Sequence, residues 1–279
     1  EGVFRTLMIS AAQVEGVIRD SRIHAVTLTG SEPAGRKVAA TAGEMLKPSV
    51  LELGGSDPYL ILEDADLDLT VAACAAGRLL NSGQSCIAAK RFIAVEAVRE
   101  AFEQGLVAKM ESVRMGNPLD DETQIGPLAG GGFRDILHQQ VRRSIEKGAR
   151  LLLGGEIPSG RGFFYPPTVL TDVRPGMPVF DEETFGPVAA VVPAADEDRA
   201  IELANRTDFG LGAAVFTRDS ARGERIAAEK LEAGNCFVNA FVKSDPRLPF
   251  GGIKQSGFGR ELSHYGIKSF VNVKTVYVR

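Results

Sequence analysis

Residues 24–53, HAVTLTGSEPAGRKVAATAGEMLKPSVLEL, contain the pattern on which the prediction of the fold depends. Apolar runs at 24–28 and 49–53 are typical of short buried strands, and residues 34–46 between them have the composition and spacing of a helix. Strand and helix patterns alternate in the same way along most of the chain. This alternation predicts an α/β fold with largely parallel sheets.

The other predicted elements follow the same rules of length and spacing. Asp66, Asp196 and Ser220 are each placed to cap the helix that follows, and Gly148 is placed just past the end of one. Further strands are predicted at 59–62, 91–95, 188–192, 212–216 and 236–239, and further helices at 67–80, 97–113, 133–147, 196–205 and 220–231.

The composition is that of a globular protein of about two domains, because 44% of the 279 residues are hydrophobic and 24% are charged. The net charge of −4 is spread evenly, so we expect no nucleic-acid partner. No apolar run is long enough to span a membrane, and we expect no membrane association. Three cysteines cannot form a closed set of disulfides, which favours the cytoplasm. The histidines are far apart, and we expect no metal.

The last residues of the chain, 269–279, alternate between apolar and polar side chains. This period of two predicts a strand. Exposed edge strands are normally covered, so we expect one of two arrangements. Either a second subunit pairs with the strand, or it is an edge strand of the chain's own sheet.

Residues 30–35, Gly-Ser-Glu-Pro-Ala-Gly, follow a predicted strand and begin a predicted helix. The free backbone N–H groups and the dipole at such a helix start favour an anion or a nucleotide. The segment matches neither the Gly-x-Gly-x-x-Gly pattern nor a P-loop. An ordinary strand-to-helix turn is therefore the alternative interpretation.

Two residues are candidates for chemistry. Glu52 lies between leucines at the end of an apolar strand, directly before a pair of glycines, and its burial is expected to raise its pKa toward that of a general base. A structural Glu paired with a Lys is the alternative. Cys86 ends the polar loop 81–86, NSGQSC, which suits a partly exposed thiol that attacks as the thiolate. Cys74 lies among alanines and is expected to be buried.

Two further loops, 182–187 (EETFGP) and 249–261 (PFGGIKQSGFGRE), combine aromatic residues, glycines and carboxylates. This composition is common where a chain surrounds a flat organic ligand. Composition alone does not identify the ligand.

Together and in this order, residues 51–55, 81–86, 183–187 and 249–261 resemble the motifs of the aldehyde dehydrogenase superfamily, and the resemblance covers essentially the whole chain. Residues 244–252 with 260–266 are most similar to the bacterial succinate-semialdehyde dehydrogenases. The resemblance implies a remnant of a Rossmann-type cofactor domain at 1–54, an α/β catalytic domain at 55–252, a return segment at 253–268 and an oligomerisation strand at 269–279.

The resemblance also implies roles for individual residues. Cys86 would be the nucleophile and Glu52 the general base. The cofactor, NAD or NADP, would contact Gly30, Ser31, Gly35, Leu53, Glu183 and Phe185. The substrate would contact Ser244, Arg247 and Phe250, although Arg247 is alternatively a surface residue paired with Asp245.

The implied reaction is the oxidation of an aldehyde, expected to be succinic semialdehyde, to the carboxylic acid with NAD(P)+, through a cysteine thiohemiacetal and a thioester. A homodimer or homotetramer is expected. Residue 1 corresponds to a point well inside the family's length, so we expect little dehydrogenase activity from residues 1–279 alone. Two alternatives stay open: a cysteine acyl-transfer enzyme or esterase that needs no cofactor, and an inactive assembly fragment.

Overall fold

The structure is a computed structural model of the chain and describes residues 2–279. In chain order the helices are α1 (Ala11–Arg19), α2 (Glu32–Glu44), α3 (Leu67–Leu79), α4 (Glu96–Glu111), α5 (Gly131–Glu146), α6 (Pro178–Asp181), α7 (Glu197–Asn205), α8 (Ser220–Glu229) and α9 (Ser263–Lys268). The strands are β1 (Val26–Thr29), β2 (Ser49–Glu52), β3 (Pro58–Ile61), β4 (Arg91–Val95), β5 (Arg150–Leu153), β6 (Thr168–Thr171), β7 (Val188–Ala194), β8 (Gly212–Phe216), β9 (Asn235–Val238) and β10 (Gly257–Phe258). Short 3-10 helices lie at Leu80–Gly83 and Lys254–Ser256.

A small sheet has the strand order β1-β2-β10. Strands β1 and β2 are parallel, and α2 connects them. Strand β10 comes from far along the chain and pairs antiparallel with the end of β2, so that Gly257 lies opposite Glu52. The carboxyl end of β2 is therefore covered by the carboxy-terminal part of the chain.

A large sheet has the order β5-β6-β7-β4-β3-β8-β9. Its neighbouring strands are parallel except for the edge pair β5 and β6. The prediction of an α/β fold with a largely parallel sheet is confirmed. The register places Arg91 of β4 opposite Pro58 of β3 on one side and Ala190 of β7 on the other, so the loops that precede these strands meet at one edge.

Two apolar cores lie on opposite faces of the large sheet, because successive side chains of a strand point to opposite faces. On one face, Tyr59 and Phe92 pack with Phe102 of α4. On the other face, Leu60 and Ile93 belong to the core formed with α5, α7 and α8. The sheet is thus the middle of three layers, which explains why its central strands are apolar throughout.

The boundary predicted at residue 54 lies between the two sheets, since β2 ends at Glu52 and β3 begins at Pro58. The return of the chain to the small sheet, through β10, lies within the predicted segment 253–268. The division into domains itself stays a prediction.

Two expectations are wrong. The cap of α8 is Asp219, whose carboxylate accepts from the Arg222 N–H, and Ser220 is the first helical residue. Residues 269–279 pair with no strand within residues 2–279, and side chains such as Val273, which is 84% exposed, face solvent. An alternating segment forms a strand only where a neighbouring edge is available, so it is not an edge strand of the chain's own sheets. Pairing with a second subunit stays a prediction.

Several elements were not predicted. Strand β10 has only two residues, and β5 and β6 are short apolar runs whose spacing does not distinguish a strand from a helix. Among residues 2–279, no helix has the length and hydrophobicity needed to cross a membrane. The same part of the chain contains no group of three or more His, Cys, Asp or Glu side chains arranged to hold a metal ion.

Gly35→Ala is expected to lower the free energy of unfolding by about 1–3 kcal/mol, because overpacking forces buried side chains to move. A Cβ at residue 35 of α2 would lie 2.6 Å from Leu53 Cδ1, and Leu53 is buried. Gly43→Ala in the same helix is the control, since a Cβ there meets nothing within 4 Å. It is expected to stabilise by about 0.4–1 kcal/mol. Urea unfolding measures the free energy of unfolding of each variant. Equal changes in Gly35→Ala and Gly43→Ala would contradict the close packing at Gly35.

Candidate active site

The predicted motifs meet where the two sheets adjoin. Glu52 lies at the carboxyl end of β2, whereas residues 54–57, 81–90 and 182–187 precede β3, β4 and β7. Because these three strands are parallel and adjacent, the loops at their amino ends lie side by side. The site is therefore built from the carboxyl edge of the small sheet and the amino edge of the large one.

Gly54 and Gly55 are enclosed by the two other loops. The Gly55 N–H donates to Glu183 Oε1 at 3.0 Å. A Cβ at residue 54 would overlap the Glu183 carboxylate, and a Cβ at residue 55 would lie 2.7 Å from the Cys86 carbonyl oxygen. A side chain at residue 55 would have to displace backbone, and one at residue 54 would have to displace the Glu183 carboxylate, which is the physical reason for the glycine pair.

The loop that carries the predicted nucleophile has a left-handed backbone, with φ of 53° at Asn81, 55° at Ser82 and 75° at Gly83. Residues other than glycine adopt this region at an energetic cost, so the surroundings must hold them. The Ser82 hydroxyl donates to the Gly126 carbonyl and accepts from the Gly126 N–H, both at 3.2 Å. A Cβ at Gly83 would overlap the Gly186 carbonyl. The loop is thus held by two neighbouring segments.

Cys86 is half-buried, as expected for a partly exposed thiol. Burial raises the pKa of the Cys86 thiol. The charge of Lys90 opposes this shift, whereas the carboxylates of Asp57 and Glu183 add to it. Lys90 is therefore the positive charge that favours the thiolate.

The other two cysteines have less reactive surroundings. Cys74 is fully buried, as expected, and burial raises the pKa of its thiol well above the ordinary value. Cys236 is half-buried on β9, and burial raises the pKa of its thiol to about 11. Since the thiolate is the attacking species, burial disfavours the reactive form of both thiols.

Glu52 is 3% exposed, and neither of its carboxylate oxygens has a hydrogen-bond partner. Burial raises the pKa of Glu52 to about 8, the charge of Glu261 adds to the shift and Arg260 opposes it. The expected rise in pKa is confirmed, and the alternative pairing with a lysine is not what the structure contains. A carboxyl with this pKa exchanges a proton in the range useful to a general base.

The loop 249–261 closes over Glu52. The Ser256 hydroxyl donates to the Gly54 carbonyl at 2.6 Å. A Cβ at Gly251 would lie 2.7 Å from Glu52 Oε1. The carboxy-terminal loop therefore both buries the carboxyl and anchors the glycine pair that follows it.

Residues 1–276 match the aldehyde dehydrogenase family. The chain belongs to the aldehyde dehydrogenase family.

Two relatives are each 51% identical to the chain. One is succinate-semialdehyde dehydrogenase (NADP(+)) 1 of Mycobacterium ulcerans (strain Agy99), matched over 278 residues that cover 100% of this chain and 60% of that protein. The other is succinate semialdehyde dehydrogenase (NAD(P)+) of Escherichia coli (strain K12), matched over 277 residues that cover 99% and 60%. The chain thus spans about 60% of the length of these relatives.

The fold of this aldehyde dehydrogenase chain is similar to that of a solved relative. The crystal structure of succinic semialdehyde dehydrogenase from Streptococcus pyogenes in complex with NADP+ superimposes with a TM-score of 0.95. The sequences are 40% identical, and the match covers 98% of this chain and 60% of the other.

The residues predicted to contact the cofactor fall into two groups. Gly35 and Leu53 are buried and pack against each other beneath the turn that begins α2, so they support the turn. The other four are exposed or half-buried: Gly30, Ser31, Glu183 and Phe185.

The residues predicted to contact the substrate are also divided. Phe250 is buried, whereas Ser244 is exposed. The Arg247 side chain is 85% exposed and is paired with Asp245, with its Nη2 at 2.6 Å from Oδ2. The structure therefore contains the surface ion pair that was the alternative for Arg247. Ser244 has no such ion pair and stays the stronger candidate for contact with the substrate.

The structure adds polar residues that sequence analysis missed. Lys90 and Asp57 are buried beside the nucleophile loop. Gln140 of α5 donates to the Glu183 carbonyl at 3.1 Å. A signal was present at Lys90, because a charged side chain directly before a buried strand needs partners of its own.

Glu52→Gln should change how stability depends on pH. Because the pKa of Glu52 is about 8 in the folded chain against an ordinary 4.5, the contribution of its proton to stability is complete below 4.5 and is lost as the pH rises through 8. In that window the free energy of unfolding falls by up to about 1.4 kcal/mol per pH unit. The free energy of unfolding of the variant lacks this fall, so the stability of the variant relative to the wild type increases as the pH rises.

Urea unfolding of wild type and variant at about pH 6 and about pH 9 measures the difference. Glu229→Gln is the control, because Glu229 is exposed on α8. An identical pH dependence in the wild type and Glu52→Gln would mean that the carboxyl is not buried as described.

Proposed function

We propose that the chain carries the catalytic machinery of an NAD(P)-dependent aldehyde dehydrogenase that oxidises succinic semialdehyde to the carboxylic acid. The observation that supports this most is the set of groups on or against the segment around the glycine pair: a half-buried residue, Cys86, whose carbonyl oxygen lies against Gly55, a carboxylate at Glu183 held by the Gly55 N–H, and an unpaired buried carboxyl at Glu52, two residues before Gly54. The names of the Mycobacterium ulcerans and Escherichia coli relatives favour this particular aldehyde.

The residues present suit a nicotinamide nucleotide. The Glu183 carboxylate is held by the Gly55 N–H, yet its side chain is 25% exposed, so it can accept hydrogen bonds from ribose hydroxyls. When bound, NAD or NADP supplies a hydride acceptor. Phe185 would pack near the nicotinamide ring, and Gly30 and Ser31 would approach the pyrophosphate at the start of α2.

Cys86 begins the reaction. Its thiolate forms a bond to the aldehyde carbon, and the carbonyl electron pair moves to the oxygen, which gives a thiohemiacetal anion. The Cys86 N–H stabilises this oxyanion, a contribution of about 3–4 kcal/mol for one such donor. Loss of a hydride from the same carbon leaves a thioester on the sulfur.

Glu52 completes the reaction. Its carboxylate takes a proton from a water molecule, the resulting hydroxide adds to the thioester carbon, and the carbon–sulfur bond breaks to release the acid and the Cys86 thiolate. Because the pKa of Glu52 is about 8, the fraction in the basic form rises with pH up to that value. Hydrolysis of the thioester should therefore become faster over the same range.

We also propose that residues 269–279 pair with a second subunit in a homodimer or homotetramer. The segment keeps the alternation of a strand and leaves side chains such as Val276 and Val278 exposed. An uncovered strand edge of this kind promotes association with another chain.

We expect the full-length protein to reduce NAD+ or NADP+ when succinic semialdehyde is added. The absorbance of the reduced nicotinamide measures this turnover. Cys86→Ala should lower turnover by at least about 10³-fold while cofactor binding survives, because the covalent route is lost. Cys236→Ala, which removes the other half-buried thiol, should retain turnover. Acyl transfer without nicotinamide would support the cofactor-independent alternative, and no turnover of either kind would support an inactive assembly fragment.

Substrate selection is tested with butanal, an uncharged aldehyde of the same chain length. The kcat/KM for succinic semialdehyde should exceed that for butanal, because a buried carboxylate must be met by hydrogen-bond donors. Ser244→Ala should reduce the ratio by about tenfold, the value of one hydrogen bond to a charged group. Arg247→Ala should change it less, since Arg247 is paired with Asp245. A ratio near one, or one that neither variant alters, would favour a general aliphatic aldehyde dehydrogenase.

A further inference from the structure

The side chain of Lys90 is fully buried between the nucleophile loop and β4. Its Nζ donates to the carbonyl oxygens of Cys86 at 2.8 Å, Ala88 at 3.0 Å and Ser85 at 3.3 Å. The same Nζ lies 3.8 Å from Glu183 Oε1. One nitrogen thus contacts the backbone of the proposed nucleophile and the carboxylate proposed to hold the nicotinamide ribose.

These contacts require the protonated form of Lys90. An ammonium has three donors and no acceptor, and every oxygen around Nζ is an acceptor. A neutral amine would turn its lone pair toward one of these oxygens. Burial lowers the pKa of Lys90, and the nearby Glu183 carboxylate opposes that shift.

The backbone supports the same arrangement. The N–H groups of Lys90 and Arg91 both donate to the Asp57 carbonyl at 3.2 Å, which joins the start of β4 to the segment that follows the glycine pair. Gly55 itself lies against the Cys86 carbonyl and donates to Glu183. Lys90 and Gly55 therefore link the same two groups from different sides.

We propose that Lys90 is a positioning residue, which holds the Cys86 loop and the Glu183 carboxylate at a set separation and supplies a positive charge beside the thiol. The roles of Cys86 and Glu183 in this inference rest on the proposed function. The contacts of Lys90 with them do not, so its effect on the thiol is measurable without cofactor or aldehyde.

The groups that face this pair come from several elements. Besides burial, the charges that act on the Cys86 thiol are those of Lys90, Asp57 and Glu183, and Lys90 is also subject to the charge of Arg78 of α3. Burial and the two carboxylates raise the pKa of the thiol, and Lys90 is the positive charge that lowers it. Without Lys90, the charges of the two carboxylates would act on the thiol with no lysine charge to oppose them, and the pKa of the thiol would rise.

The experiment compares the alkylation of Cys86 by iodoacetamide in the wild type, Lys90→Met and Lys90→Gln across a pH series, with the adduct located by mass spectrometry. Both variants should raise the pH midpoint of alkylation by about one unit, the size of a nearby charge effect. At pH values below the midpoint this is about a tenfold slower reaction. Lys90→Gln keeps amide donors for the carbonyls, so it decides the question if Lys90→Met does not fold.

The matched control is Arg91→Gln. Arg91 is equally buried, and its guanidinium donates to the carbonyls of Ser56, Leu203 and Ala204, away from the thiol. This variant should lose stability in urea unfolding and keep the alkylation midpoint of the wild type.

A second measurement tests the Glu183 side of the link. In the full-length protein, Lys90→Gln should weaken binding of the reduced nicotinamide nucleotide by about tenfold. The fluorescence of the reduced nucleotide measures this binding. An unchanged alkylation midpoint in Lys90→Gln overturns the proposal, as does a midpoint that Arg91→Gln shifts equally. Failure of the wild type to oxidise aldehydes would instead count against the proposed function, since the alkylation series needs no turnover.

Discussion

The Gly54–Gly55 segment lies between the carbonyl oxygen of Cys86 and the carboxylate of Glu183, and this close approach is the constraint on which the site depends. Two loops from distant parts of the chain, 81–90 and 182–187, approach the positions where the two Cβ atoms would lie. A side chain at residue 55 would meet the backbone of Cys86, whereas one at residue 54 would meet the carboxylate end of the Glu183 side chain. The separation between Gly55 and the Cys86 backbone is therefore set by backbone packing.

The position of the site follows from the way the two sheets adjoin. The small sheet presents its carboxyl end, which is where open α/β sheets usually bind ligands. The large sheet presents its amino end, where the loops before β3, β4 and β7 meet. Glu52 comes from the first edge and Cys86 from the second, so the proposed catalytic arrangement requires both sheets. Strand β10 and the loop 249–261 then join the sheets by pairing with β2.

Several ionisable side chains are buried at this junction, and they differ in how many hydrogen-bond partners surround them. The Lys90 ammonium is surrounded by acceptors, and the Arg91 guanidinium donates to three backbone carbonyls, so the cost of desolvation is offset by hydrogen bonds. The Glu52 carboxyl has no such partners, and burial keeps it protonated at neutral pH. A group left without compensation inside a folded chain is often one that function requires to change its state.

The α/β class, most of the strands and helices, and the motifs that resemble the family could all be predicted from the amino-acid sequence. These follow from local patterns: apolar runs, helical spacing, caps and short motifs with their own chemistry. The sequence also indicated that Glu52 would be buried, because leucines flank it, and that Cys86 would be more accessible than Cys74, because its neighbours are polar. These neighbours also suggested a general base at Glu52 and an attacking thiol at Cys86, and the resemblance to known enzymes placed both in one reaction.

Only the tertiary structure decided which loops meet and what surrounds each charge. No local pattern specifies pairs of residues that are far apart in the chain. Such pairs are the close approach of Gly54 to Glu183, the contact of Lys90 with Glu183 and the pairing of β10 with β2. The same reason explains why residues 269–279 are not an edge strand of the chain's own sheets. Alternation predicts the ability to form a strand, whereas a strand exists only where an unpaired edge is within reach, and within residues 2–279 none pairs with this segment.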